Sequence, residues 1–181
     1  HFDPHMANII FNIALLSYFI SSLGYTFYLV YRESIVNLIS AFSLGLGLIS
    51  HTIIIGLRSA ETGHGPYTTG FEIASFLAWV IVVIFFLTEW KYKIKDLGTF
   101  VIPVVFLILF YSAFQSREVL LIDDSSTMFW LTMHRTLSII GYAAFAIAFG
   151  GALMYLIQEN QVKSKKLGVM YFRMPSLEVL D

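Results

Sequence analysis

The strongest constraint on this chain is the spacing of its charges. Five stretches, residues 9–31, 35–57, 73–90, 97–115 and 136–157, carry no charge or one marginal charge, and they run to 23, 23, 18, 19 and 22 residues. A helix rising about 1.5 Å per residue needs about 20 apolar residues to cross a bilayer core. Each stretch therefore has the length of one crossing. Of the 181 residues, 57% are hydrophobic and 13% charged, against about 45–50% and about 25% in an ordinary soluble domain. The expected fold is all-α: a polytopic integral membrane helix bundle with five transmembrane helices, forming one membrane domain over 9–181.

Net charge and cysteine usage narrow the chemistry. Eleven Lys and Arg stand against twelve Asp and Glu, a net charge of −1, which leaves no basic field to hold nucleic acid. With no cysteine, the chain makes no disulfide or Cys-ligated cluster and does no thiol redox chemistry. A metal or cofactor would have to be held by His, carboxylate or backbone.

Orientation follows from the loops, because short Lys- and Arg-rich loops stay in the cytoplasm. Arg32, Lys91, Lys93, Lys95, Lys163, Lys165, Lys166 and Arg173 fall on one side, and Arg58, Arg117 and Arg135 on the other. Eight against three places the N-terminus outside and the C-terminal segment in the cytoplasm. Tyr28, Tyr31, Trp90, Tyr92 and Tyr155 then mark the inner interface, with Phe129 and Trp130 at the outer one. No basic residue precedes the first span, whose length exceeds a cleavable signal core, so that span is expected to be retained. Residues 1–8 read as a tag or translated upstream residues, with Met6 the plausible natural start; His1 and His5 carry no functional weight.

Along the chain, Arg32-Glu33-Ser34 is a turn short enough to force spans one and two into a tight antiparallel hairpin. Span two carries the pairs Ala41/Gly45 and Ser43/Gly47, and span five carries Ala144/Ala148/Ala152 and Ala146/Gly150. This small-xxx-small spacing lets helices approach closely in lipid. Pro103 is expected to kink span four or to mark a turn at its entry. The segment 115–127 pairs an apolar run, 119–122, with Glu118, Asp123 and Asp124, the pattern of a short interfacial segment. Internal repeats and linker-like tracts are absent.

Three histidines carry the chemical interest. His51 lies about 9 Å inside span two at 1.5 Å per residue, and an intramembrane ionisable group is a functional candidate; the alternative is an imidazole bonded to a neighbouring helix. His134 opens span five, extending it to about 134–157. Trp130 precedes it by one turn, and Ser138, Gly141 and Tyr142 follow on the same face. An imidazole, an aromatic plane and a small residue suit a flat macrocycle such as haem, with adjacent Arg135 placed for a propionate; an interfacial cap histidine is the alternative. The Gly- and Pro-rich loop 62–72 holds His64 and leads into span three through Thr69 and Glu72, which have the spacing of a capping box. No Ser-His-Asp set, zinc-protease motif, P-loop or GxGxxG turn is present.

These residues resemble the cytochrome c assembly proteins of the CcsA/ResC type and the related HemX proteins. The likeness rests on Gly63-His64-Gly65-Pro66 followed by Glu72, Phe76 and Trp79. It continues in Met133-His134 followed by Ser138-Ile-Ile-Gly-Tyr-Ala-Ala-Phe145, and in Arg173-Met-Pro-Ser-Leu-Glu-Val-Leu-Asp181. The resemblance implies a haem-handling protein of the bacterial cytoplasmic membrane whose external face presents non-covalent haem b for attachment to the CxxCH motif of apocytochrome c. It further implies a CcsB/ResB-type membrane partner. It makes His134 the first candidate for an axial ligand, with Trp130, Arg135, His64, His51 and Glu72 as further haem-site candidates. The Trp-rich WWD loop of that family, with its second flanking histidine, has no counterpart here, so the chain reads either as the N-terminal part of a longer protein, the favoured reading, or as a divergent, shortened member. The resemblance therefore implies that this chain alone is expected to lack a complete haem-attachment (synthase or lyase) site. Two other readings stay open: a HemX-like regulator of haem biosynthesis, and a non-haem transporter or assembly scaffold in which Asn12, Asn37 and His51 pack helices or line a path.

Overall fold

The computed structural model describes residues 3–94, 96–118, 125–164, 168, 172 and 174–180. Its elements are α1 (Pro4–Tyr31), α2 (Ser34–Thr62), α3 (Gly70–Tyr92), α4 (Leu97–Ser112), α5 (Ser125–Lys163) and the short α6 (Leu177–Leu180), with no strand among the described residues. Four helices are long and apolar enough to cross a bilayer: α1, α2, α3 and the Phe129–Lys163 part of α5; α4 is a shorter apolar helix. The interfacial run at 119–122 with Asp123 and Asp124 lies outside the described residues, as do Lys95 and Arg173.

The four long helices overrun the uncharged stretches. α1 begins at Pro4, whose fixed φ suits a first helical turn, and the Asp3 carboxylate accepts the His5 N–H at 2.9 Å. α2 runs on through Arg58 and Glu61 until Gly63 closes it with φ 76°, a left-handed conformation that costs glycine little. α5 continues through the charged turn at Glu159 and Lys163, which pair at 2.8 Å. Loss of apolar character marks where a helix leaves hydrocarbon, not where its backbone bonding stops. α4 differs in the opposite sense, ending at Ser112 rather than 115. Ala113, Phe114 and Gln115 instead donate to Phe110, Tyr111 and Ser112 carbonyls at 3.1, 3.1 and 3.0 Å, the tightened i to i+3 turns that satisfy a helix end.

Short as it is, α4 is central. It packs against α1, α3 and α5, while α1 also packs on α2 and α3 on α5. Its Val101, Ile102, Val105 and Leu109 are fully enclosed, and the helix runs on through Pro103. The outer helices show the reverse distribution: Leu16, Phe27, Phe42, Ile49, Leu87 and Phe145 are exposed. Apolar surface so extensive is tolerated when the surrounding solvent is lipid.

The α1–α2 hairpin, turned by Arg32 at φ 57°, is held by small and polar residues as well as by the buried Tyr18 and Leu44. Ser21 Oγ donates to the Ser40 carbonyl at 2.9 Å, and Ser43 Oγ to the Ser17 carbonyl at 2.8 Å. Of the two small pairs in α2, Ser43/Gly47 makes this contact. A Cβ on Gly47 would lie 2.5 Å from the Tyr18 ring, whereas one on Gly45 would meet nothing within 4 Å. Gly47→Ala should therefore cost about 1–3 kcal/mol by overpacking. Gly45→Ala should gain about 1 kcal/mol of helix propensity, as thermal unfolding in detergent will show; equal shifts would contradict the close approach. In α5, likewise, Gly150 abuts Val101 of α4, with a built Cβ at 2.8 Å, while Ala144, Ala148 and Ala152 are exposed among the described residues.

One end of the bundle is tied by Arg32, whose guanidinium pairs with Asp96 at 2.7 Å and so links the α1–α2 turn to the start of α4. Burial raises the Asp96 carboxyl above the usual carboxylate range, and the charge of Arg32 acts against that rise. At the same end Thr99 Oγ1 donates to the Tyr25 carbonyl at 2.9 Å. The opposite end carries His64, Glu72, Arg58 and Arg117.

Candidate functional site

The loop between α2 and α3 is organised by one carboxylate. Thr69 caps α3, its hydroxyl accepting the Glu72 N–H at 3.2 Å, while Glu72 Oε2 accepts the Thr69 N–H at 3.3 Å: the capping box expected from the spacing is formed. Glu72 does more than cap. Its Oε2 also accepts the Thr68 N–H at 3.0 Å, and its Oε1 accepts Arg58 Nε at 3.0 Å. The carboxylate is 1% exposed, and this set of donors is what makes such burial tolerable. Arg58 extends the network by donating to the Glu118 carbonyl at 2.9 Å.

His64 sits on this framework and is buried. Its Nδ1 lies 2.8 Å from the Gly65 carbonyl and 3.1 Å from Thr68 Oγ1. A carbonyl only accepts, so Nδ1 carries the proton in the neutral ring and Nε2 holds the lone pair. Thr68 Oγ1, 3.4 Å from Nε2, belongs to the residue whose N–H Glu72 fixes. Tyr67 lies beside the His64 ring at 6.0 Å and joins the loop to α5. Its hydroxyl accepts from Thr132 Oγ1 at 2.7 Å, and its carbonyl accepts from an Arg135 guanidinium N–H at 2.8 Å. This bond uses one of the five donors of Arg135.

His134 faces elsewhere. A helix turns 100° between neighbouring residues, so while Arg135 docks on the loop, His134 is exposed beside Trp130, which is 74% exposed. The same stripe of α5 continues through Leu137, Gly141 and Phe145. Leu137 and Phe145 are exposed, and a Cβ on Gly141 would meet nothing within 4 Å. Ser138 donates back to the His134 carbonyl at 2.7 Å and so does not occupy the face. No described element covers this stripe, which offers an imidazole, an indole and a flat gap at Gly141, while the guanidinium of the neighbouring Arg135 is bonded to the Tyr67 carbonyl. That donor set fits one face of a haem.

His51 lies apart. It is fully buried, Nδ1 3.1 Å from the Tyr18 hydroxyl and Nε2 2.8 Å from Ser75 Oγ. It thus bridges α1, α2 and α3, and α2 and α5 do not pack against each other among the described residues. The candidates therefore divide into three places: His64, Glu72 and Arg135 on one loop framework, His134 and Trp130 on the open face of α5 next to it, and His51 inside the hairpin. Among the described residues, no three His, Asp or Glu side chains converge as a bare metal site would require.

Sequence reasoning missed Tyr67, Thr132 and the pairing of Arg58 with Glu72. Contacts across 65 residues, such as that of Thr132 with Tyr67, leave no local signal. Tyr18 was findable: it lies 13 residues before the end of α1, and His51 lies 17 after the start of α2. A tight hairpin puts both within about one turn of the same depth.

Residues 67–181 match the family model described as Cytochrome C assembly protein. Over 172 residues the chain is 26% identical to a cytochrome c biogenesis protein CcsA of Guillardia theta, covering 92% of this chain and 57% of that one. It is 25% identical over 162 residues to a CcsA of Chlorella vulgaris, with 85% and 50% covered. To a HemX protein of Brevibacillus brevis it is 28% identical over 126 residues, with 68% and 46% covered. The chain spans about half the length of the curated relatives it matches. No solved structure gives a significant match. The matched region takes in the Tyr67 anchor, Glu72 and the whole α5 face, and the chain belongs to the cytochrome c assembly protein family.

Proposed function

We propose that the chain is the haem-presenting membrane unit of a cytochrome c biogenesis protein, working at the external face of a bacterial cytoplasmic membrane. The observation that carries this reading is the uncovered His134–Trp130–Gly141 stripe of α5, set against a rigid loop framework within the segment that matches the family. In this reading His134 supplies an imidazole to haem iron, Trp130 lies against the ring, and the remaining donors of Arg135 meet a propionate. Haem supplies the vinyl groups that the apocytochrome thiols attack. The protein contributes orientation, and its lack of cysteine leaves thiol chemistry to other proteins. A CcsB/ResB-type membrane protein and apocytochrome c are the proposed partners. His64 and Glu72 act through the loop that positions Arg135, and His51 acts through the α1–α2–α3 packing.

The Lys and Arg distribution supports an external position for the His64 end. A reporter active only outside the cytoplasm should therefore work when fused near His64 and fail near Lys93. Deleting the gene should abolish covalently haem-stained c-type cytochromes while b-type haem persists. The similarity to HemX supports a second reading, a regulator of haem biosynthesis. Intact c-type cytochromes with altered total haem in the deletion strain would favour that reading, and a reversed reporter pattern would put His134 on the wrong side for either partner.

A further inference from the structure

A cleft of about 280 Å³ opens at the His64 end of the bundle, between α1 and α2 and against the start of α3. It lies away from the α5 face, since neither α1 nor α2 packs on α5 among the described residues. Two guanidinium groups reach it, and they are held differently. Arg58 is neutralised by the buried Glu72. Arg117 is gripped between aromatic faces, 4.8 Å from the Phe11 centroid and 4.9 Å from that of Phe71, and hydrogen-bonds the side-chain oxygen of Asn8. No carboxylate pairs with it among the described residues. Burial and the neighbouring charge of Arg58 both lower its basicity, the direction expected of two like charges in a partly desolvated space. The acidic side chain that lines the cleft, Glu61, is solvent-exposed, as is the outer part of Arg117, and the two do not pair.

A guanidinium positioned between two aromatic rings, with no paired carboxylate among the described residues, at the end of a membrane bundle is arranged for an oxyanion on an amphipathic molecule. The planar fork of arginine matches phosphate oxygens in pairs, and Phe11, Ile54 and Phe71 give the ligand's apolar part a surface. We infer that the Arg58–Arg117 cleft is a phosphate site that takes the head group of an anionic phospholipid and so anchors the N-terminal helix hairpin to that leaflet. This inference does not depend on haem binding.

The test uses the whole chain purified in neutral detergent, with three probes: phosphatidylglycerol, phosphatidylcholine and inorganic phosphate. Binding is read as lipid retained in native mass spectrometry and as the shift in thermal midpoint. Wild type should hold phosphatidylglycerol about tenfold more tightly than phosphatidylcholine, which carries the same phosphate but adds a quaternary ammonium that the like charges of Arg58 and Arg117 repel. Arg117→Gln should abolish that preference, Arg117→Lys should keep part of it, and Lys91→Gln at the other end of the bundle should leave it unchanged. Protection by inorganic phosphate alone, lost in Arg117→Gln, would keep the phosphate site but assign it to a free anion. The proposal is overturned if phosphatidylglycerol gives no advantage in wild type, or if Arg117→Gln, folded as judged by its helical circular dichroism, retains the full preference.

Discussion

Glu72→Ala should destabilise the protein by about 3–5 kcal/mol, the range found when one partner of a buried ion pair is removed. The substitution leaves Arg58, whose side chain is 14% exposed, without its carboxylate, and it strands the N–H groups of Thr68 and Thr69. Damage should reach α5, because Thr68 contacts His64 and Tyr67 next to it anchors Thr132 and Arg135. Glu72→Gln keeps the shape and one acceptor and should cost less. Pairing Glu72→Leu with Arg58→Met should recover part of the loss, since no lone charge is then buried. Unfolding free energies in mixed micelles of rising denaturing detergent would measure all three. A cost under about 1 kcal/mol for Glu72→Ala would place the pair with water-screened surface bridges and remove the framework role assigned to it.

What was legible in the sequence followed from strong, local physics. The cost of unsatisfied backbone in lipid makes an uncharged run of about 20 residues a helix, and a two- or three-residue turn leaves only a hairpin. The capping box was readable because Thr69 and Glu72 act three residues apart. Helix ends were not readable: α2 and α5 carry charged residues for a further turn because backbone bonding outlasts the apolar surface. Pattern alone did not distinguish Ser43/Gly47, which meets α1, from Ala41/Gly45, since small-residue spacing states that a close approach is possible but not which face makes it.

The histidines divide in the same way. Nothing local separates His51, enclosed by Tyr18 and Ser75, from His134, which stands open beside Trp130. Only the packing of the helices decides it. The position of Arg135 depends on a carbonyl 68 residues away, and the aromatic grip on Arg117 depends on rings from α1 and α3. Composition announced none of these.

The face of α5 yields the other large expectation. His134 is the exposed imidazole on that stripe, so its removal deletes the proposed axial ligand while disturbing little packing; the Glu72 framework, Tyr67 and Arg135 remain in place. His134→Gly also opens a space that free imidazole can enter. The direct measurement is the absorption spectrum and pyridine-haemochrome content of the full-length protein purified from membranes, for wild type and His134→Gly, with and without imidazole. The account predicts haem in the wild type, a loss of about tenfold or more in occupancy on substitution, since a contact of about 1.4 kcal/mol or more is removed, and partial recovery with imidazole. Unchanged occupancy and spectrum in His134→Gly would contradict it.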